Sequence, residues 1–354
     1  MKSMLTKLTA SCLVVATLSL ADAAKAQEPF RFAWPSAINS GVAPLTFAEA
    51  LGFFEAEDLS LELISLTGSG VIIPQLTVGN IDAAYSGLEP AVLSHQPDNP
   101  DLGIYFVYNF IPNSIWEMVV LEGSDIQSIE DMRGKTIGVL ALGSSNVITS
   151  KAILQSKGIA EDEVTFQAVG VGAAAYQALI SGQIDVLNLF DTAHSRLELS
   201  GTAIRRLEYP ESFSGSSHGI SVARATYDEK PEFFGKFGRI VAKANLACAA
   251  NLEACIRSYW EAYPELAPAE AERGEAMERE KFVLTSRLEN LLGEEGQYGA
   301  FPEGDWLNLV AALEAGGLVT DPDVPLNRYY TNDLVPMFND FDPKEVVRLA
   351  EQAE

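Results

Sequence analysis

Two aspartates stand out by repetition. Gly79-Asn80-Ile81-Asp82 is echoed 103 residues later by Gly182-Gln183-Ile184-Asp185, and a pair of carboxylates is the equipment of general acid–base chemistry. Their context points elsewhere. Each copy follows an apolar helical pattern (Ile72 and Leu76 in the first, Tyr176 and Leu179 in the second), turns at glycine and runs Ile-Asp into an apolar strand. Both aspartates therefore start strands, whereas ligands of open α/β sheets gather beyond the carboxyl ends. The unrepeated residues at those far ends are the better candidates: Tyr85, Ser86 and Glu89 after the first copy, Phe190 and Asp191 after the second.

Other reactive spellings fail on context. Gly215-Ser216-Ser217-His218-Gly219 matches a nucleophile elbow by letter, but an elbow needs a helix after the serine and a histidine downstream. Here a strand follows, and no histidine occurs after His218. Gly134-Lys135-Thr136 lacks the glycine five residues upstream that a phosphate-binding loop requires. His95, His194 and His218 are the only histidines, none paired at metal-ligand spacing. No catalytic residue, metal or cofactor is expected.

The elements that must position these side chains come in two similar cycles. Phe30 to Trp34 reads as a strand, Ala43 to Phe54 as a helix, Leu59 to Leu66 as a strand, Val71 to Val78 as a helix and Ile81 to Ser86 as a strand. Such β-α-β-α-β succession gives a parallel sheet with helices on its faces. Leu102 to Phe110 and Ile115 to Leu121 read as further strands. The order then begins again at Thr136 and runs through a Gly143-Ser144-Ser145-Asn146 turn to the echoed strand. From Lys230 the pattern is helical, broken at Pro264, Pro268, Pro302 and Pro322. This predicts an α/β protein of two lobes, each a mainly parallel sheet flanked by helices, with a helical C-terminal extension. The first lobe is assigned to residues 28–121 and 223–354 and the second to 122–222, with hinge crossings near Glu122 to Asp125 and Ser221 to Arg224.

Composition sets the compartment. Lys2 and Lys7, an apolar run from Leu8 to Leu20 and a small-x-small site at Ala21-Asp22-Ala23 or Ala24-Lys25-Ala26 read as a signal peptide over residues 1–26, too short to span a bilayer. Three lysines and one aspartate leave with it, so the net charge of −25 becomes −27. A protein so acidic does not seek nucleic acid or anionic lipid. Cys248 and Cys255 lie seven residues apart, too far for a disulfide along one helix. Asn251 can cap a second helix there and fold the two sulfurs together, as an oxidising compartment favours. The alternative is two small core residues on neighbouring helices.

Taken together, the helix ending in Gly52-Phe53-Phe54, the turn Gly68-Ser69-Gly70, Gly79-Asn80-Ile81-Asp82, the run Asp131-Met132-Arg133-Gly134-Lys135-Thr136-Ile137-Gly138-Val139 and Gly182-Gln183-Ile184-Asp185 resemble the periplasmic solute-binding proteins of ABC transporters. The type is that of the sulfonate, taurine and thiamine-pyrimidine-precursor proteins (NMT1/THI5-like). The resemblance covers residues 30 to 200 and implies a type II periplasmic-binding-protein fold that closes on a small solute by hinge bending and presents it to a permease in the inner membrane, as a monomer and without chemistry. By position the family pattern carries over to the loops that sheet physics also selects: Trp34, Gly68, Ser69, Gly70, Tyr85, Ser86, Glu89, Asn109, Trp116, Ser144, Ser145, Asn146, Phe190 and Asp191. Aromatic members offer stacking walls, and the Gly-Ser turns offer backbone N–H groups to an acceptor. No lysine or arginine occurs from Phe32 to Met132, although a strongly anionic solute is usually clamped by arginine. Glu89 and Asp191 stand ready for an amine. The expected solute is neutral, zwitterionic or amine-bearing, such as a pyrimidine, taurine or a sulfonate-like compound, in preference to a bare sulfonate or nitrate. The alternatives are a pyrimidine-precursor enzyme on the same fold and a ligand-sensing subunit of a membrane receptor.

Overall fold

The computed structural model describes residues 27–213 and 215–353; the signal-peptide reading of residues 1–26 lies outside them. Ten strands form two five-stranded sheets. They are β1 (Glu28–Trp34), β2 (Leu59–Ser65), β3 (Ala83–Gly87), β4 (Ile104–Ile111), β5 (Trp116–Leu121), β6 (Thr136–Val139), β7 (Thr165–Ala168), β8 (Val186–Phe190), β9 (Ile204–Arg206) and β10 (His218–Ala223). The first sheet has the order β2-β1-β3-β10-β4 and the second β7-β6-β8-β5-β9. In each, three parallel strands from a β-α-β-α-β cycle are continued by an antiparallel strand, β10 or β5. The same construction occurs twice, which is what the sequence echo records.

The crossings between lobes differ from expectation. Residues 116–121, expected in the first lobe, pair with β8 and β9 of the second sheet. Residues 218–222, expected in the second lobe, pair with β3 and β4 of the first. The chain thus passes between sheets at 112–115 and 207–217 instead of 122–125 and 221–224. Both strands are mostly buried and carry buried residues on both faces, so their residue pattern carries no sign of which partner they hydrogen-bond.

The repeated aspartates are staples between strand starts. Asp82 accepts from the backbone N–H of Arg31 at 2.9 Å and from its guanidinium at 2.9 and 3.0 Å, while Asp185 accepts from the backbone N–H of Thr136 at 2.8 Å. Each ties the first strand of its cycle to the third.

The C-terminal helices cover the first sheet and reach past it. Helix Pro231–Ala250 buries Phe233, Phe234 and Phe237 against Phe30 and Phe32, with Phe30 and Phe237 stacked at 4.0 Å. Asn251 caps the helix Leu252–Ala262 by accepting from the N–H of Ala254, and across that turn Cys248 and Cys255 are joined by a disulfide. The edge strand β4, buried over all eight residues, is bonded through Phe106 to the backbone of Tyr329 and Thr331, which blunts an edge that would otherwise template pairing. Helix Glu303–Ala315 packs on Ser145–Ser156 of the second lobe, so the extension touches both lobes, not the first alone.

Candidate functional site

The carboxyl ends of the strands of both sheets meet across a cleft, and there the backbones come close. The N–H of Gly70 donates to the carbonyl of Gly143 at 3.0 Å. Gly68 opens the helix Ser69–Thr77 with φ of 78°, a conformation costly for any residue with a Cβ; an added Cβ would also stand 3.0 Å from the Ser144 hydroxyl. Glycine is required there twice over, by the turn and by the opposite lobe.

Beside this contact lies a cavity of about 30 Å³ walled by rings. Trp34 at the end of β1 stacks on Tyr85 of β3, with centroids 4.8 Å apart and planes at 20°. Tyr85 stacks in turn on His218 of β10 at 4.7 Å and 23°. Trp116 of β5 meets His218 at 5.0 Å, and Phe190 of β8 closes the second-lobe side. Four donors on these walls, Trp34 Nε1, Trp116 Nε1, the Tyr85 hydroxyl and the Ser144 hydroxyl, are buried without a hydrogen-bond partner among the described residues. Buried indole and phenol donors ordinarily find one. Burial pushes the Tyr85 phenol well above its ordinary value, so it keeps its proton and donates. Burial, aided by the charge of Arg287, pushes His218 down to about 3, so the imidazole is neutral.

Of the residues expected from sequence, Trp34, Gly68, Ser69, Tyr85, Trp116, Ser144, Ser145 and Phe190 come together around this cavity. The others are placed elsewhere. Gly70 packs on Gly143. Ser86 faces Ser221 at 2.8 Å inside the first lobe. Asn109 donates to Ser216 and to the Ala300 carbonyl, and Asn146 donates to the carbonyl of Asn188. Glu89 lines a neighbouring cavity. Asp191, expected to receive an amine, is already held by Arg287: Nε lies 3.1 Å from both carboxylate oxygens and Nη2 lies 2.5 Å from Oδ1. Both partners are about 95% buried, and burial favours such a pair only when its geometry is this complete.

Sequence reasoning missed His218 and Arg287 on these walls, along with Pro35, Ser36, Asn39, Ile115 and Leu140. His218 belongs to the Gly215-Ser216-Ser217-His218-Gly219 run, which matches a nucleophile elbow by letter and leads into β10. Arg287 carried a signal: it lies on the apolar stripe of the helix Arg273–Leu291, beside Leu284, Leu288 and Leu291, and a lone charge on a buried stripe needs a buried partner. The bare first lobe therefore receives its cation from the C-terminal extension, where it is neutralised at once by Asp191. Among the described residues, no group of histidine, cysteine, aspartate and glutamate could hold a metal, and no helix is long and apolar enough to cross a membrane.

The model of the family described as NMT1/THI5 like matches residues 39–254, well over half of the chain. The protein belongs to the NMT1/THI5-like family. It is 23% identical over 304 residues to the riboflavin-binding protein RibY of Chloroflexus aurantiacus, covering 84% of this chain and 83% of that one. It is 26% identical over 181 residues to a putative thiamine biosynthesis protein of Haemophilus influenzae, covering 50% of this chain and 54% of that one. Among solved structures it resembles the alkanesulfonate-binding protein SsuA of Xanthomonas axonopodis pv. citri bound to MOPS, with a TM-score of 0.62, 16% identity and coverage of 86% and 99%. This NMT1/THI5-like chain has the two-lobed fold of periplasmic binding proteins.

Proposed function

We propose that the protein is the periplasmic solute-capturing component of an ABC importer, and that its aromatic cavity binds the planar, carbonyl-bearing ring of a pyrimidine-like solute by closure of the two lobes, without turning it over. The observation that carries this reading is the convergence of four partnerless donors between stacked aromatic walls. A flat heterocycle slides between rings, and its carbonyl oxygens accept from the indole, phenol and hydroxyl donors. Asp191 neutralises Arg287 and commits its Nε and Nη2, which suits an uncharged ring better than a sulfonate. The name of the Chloroflexus relative, riboflavin-binding, is consistent with a planar heterocycle. At about 30 Å³ the cavity of the closed form holds no more than a few waters, so a ring enters only as the lobes part. Ligand contacts from both lobes would favour that closed form over an open one.

Two of the four tryptophans of the chain line the cavity, so fluorescence reports occupancy. Titration with pyrimidinediones and riboflavin is expected to give saturable quenching, with taurine and alkanesulfonates inert. Saturation by an alkanesulfonate together with silence from every planar heterocycle would overturn the proposal.

A further inference from the structure

A second cavity, of about 150 Å³, adjoins the first, and Trp116 lines both. Its character is opposite. Glu89, Glu211 and Asp305 are on its walls with Ser216, Ser217 and Thr149, and among the described residues no lysine, arginine or histidine lines it. Asp305 accepts from the backbone N–H and hydroxyl of Ser216. Glu89 differs: it is 3% exposed, one carboxylate oxygen accepts from the Thr149 hydroxyl at 2.5 Å, and the other is buried without a partner. A carboxylate in that position is costly unless something compensates it.

We propose that this cavity is a cation-accepting subsite in which Glu89 receives the ammonium of an aminoalkyl arm, while the planar ring of the same solute lies in the aromatic cavity across Trp116. The inference rests on the reading of the aromatic cavity given above and adds the second half of the solute. Volume allows it, since 150 Å³ is about tenfold what one ordered water needs. Chemistry asks for it: a carboxylate oxygen that accepts nothing from the protein is matched by a charged N–H donor, and no cationic side chain competes on the cavity wall. Geometry makes it selective, because Glu89 opens the helix Glu89–Ser94 of the first lobe and Thr149 belongs to the helix Ser145–Ser156 of the second. An ammonium bound there joins a contact that exists only when the lobes are shut. The charged and titratable groups around Glu89 are Glu211 and Asp305 on the cavity walls and the Tyr209 phenol within electrostatic reach; all favour a cation or are neutral toward it.

The test uses the mature protein and pyrimidinediones bearing an aminoalkyl arm of one to three carbons, each paired with its uncharged alkyl counterpart. Calorimetry is expected to show at least one amine binding tenfold or more tightly than its counterpart. Glu89→Gln, which keeps the side-chain volume, is expected to collapse that ratio to about one. Burial places Glu89 at about 7, so amine binding at pH 7 should also release protons, seen as a dependence of the heat on buffer ionisation enthalpy; this readout needs no variant. Equal binding of amine and alkyl partners, a preference that survives Glu89→Gln, or amine binding without proton release would each overturn the subsite while leaving the ring site standing. Silence from both members of every pair would overturn the ring site and, with it, the subsite.

Discussion

Glu89 makes a quantitative prediction about the unliganded protein. Burial, only partly opposed by the bond from Thr149, pushes its carboxyl from 4.5 up to about 7. The folded-state value thus lies above the unfolded one, so the folded protein binds the proton more tightly. The associated stability is fully present below about pH 4.5 and is lost as pH rises through 7. A shift of about 2.5 units at about 1.4 kcal/mol each corresponds to roughly 3 kcal/mol between pH 4.5 and 8. Glu89→Gln removes the titration while keeping an acceptor for Thr149. Guanidinium unfolding of both proteins at half-unit steps from pH 4.5 to 8 should show the difference in unfolding free energy drifting by roughly 3 kcal/mol in favour of the glutamine variant as pH rises, steepest between 5 and 7. Every other carboxylate is common to the pair and cancels. Parallel curves would refute the reasoning, because they would mean that Glu89 is solvated in the folded protein and its unpartnered oxygen is satisfied by water.

Three further outcomes follow from contacts of the cleft and the extension. Arg287→Met strands Asp191 in a buried site and is expected to cost about 3–5 kcal/mol by chemical denaturation, most of which Arg287→Met combined with Asp191→Asn should recover; equal losses in the single and double variants would show that the pair is not coupled. A Cβ on Gly87 would lie 2.2 Å from the Ser145 hydroxyl oxygen and 2.4 Å from its Cβ, so Gly87→Ala wedges the lobes apart. Its affinity for whichever heterocycle quenches the native protein should fall at least tenfold while the unfolding free energy of the unliganded form moves by about 1 kcal/mol or less, and an unchanged affinity would show that closure does not need that approach. Replacing Cys248 and Cys255 by serine opens a cross-link over a sequence separation of seven and should cost about 2.5 kcal/mol, read from denaturation midpoints with and without reductant.

What the sequence disclosed and what it withheld divide along physical lines. Periodicity and glycine turns are local, and they located both β-α-β-α-β cycles, the strand-starting role of Asp82 and Asp185, and Trp34, Tyr85, Trp116 and Phe190 at the mouths of strands. Strand pairing is not local. β5 and β10 carry apolar residues on both faces, and nothing in them distinguishes the sheet they leave from the sheet they join. Charge compensation is not local either: Asp191 reads as an open acceptor until Arg287, 96 residues away, is brought onto it by the packing of the helix Arg273–Leu291. The letters around His218 point to a nucleophile elbow, whereas its side chain serves as a neutral ring in a stack.

The placement of β10 also governs the order in which the chain can assemble. The second sheet draws all its strands from the continuous stretch 116–206, while the first is completed only when residues 218–223 arrive between β3 and β4. Until then β4 has no link to β2, β1 and β3, and the first sheet exists as two fragments. Because β10 begins 107 residues after β4 ends (218 − 111), loop-closure entropy is expected to make that non-local insertion slower than assembly of the second sheet. Refolding should show an early phase confined to the second lobe and a later one in which the rings of Trp34, Tyr85 and His218 first meet, so that the aromatic cavity forms only with the insertion of β10.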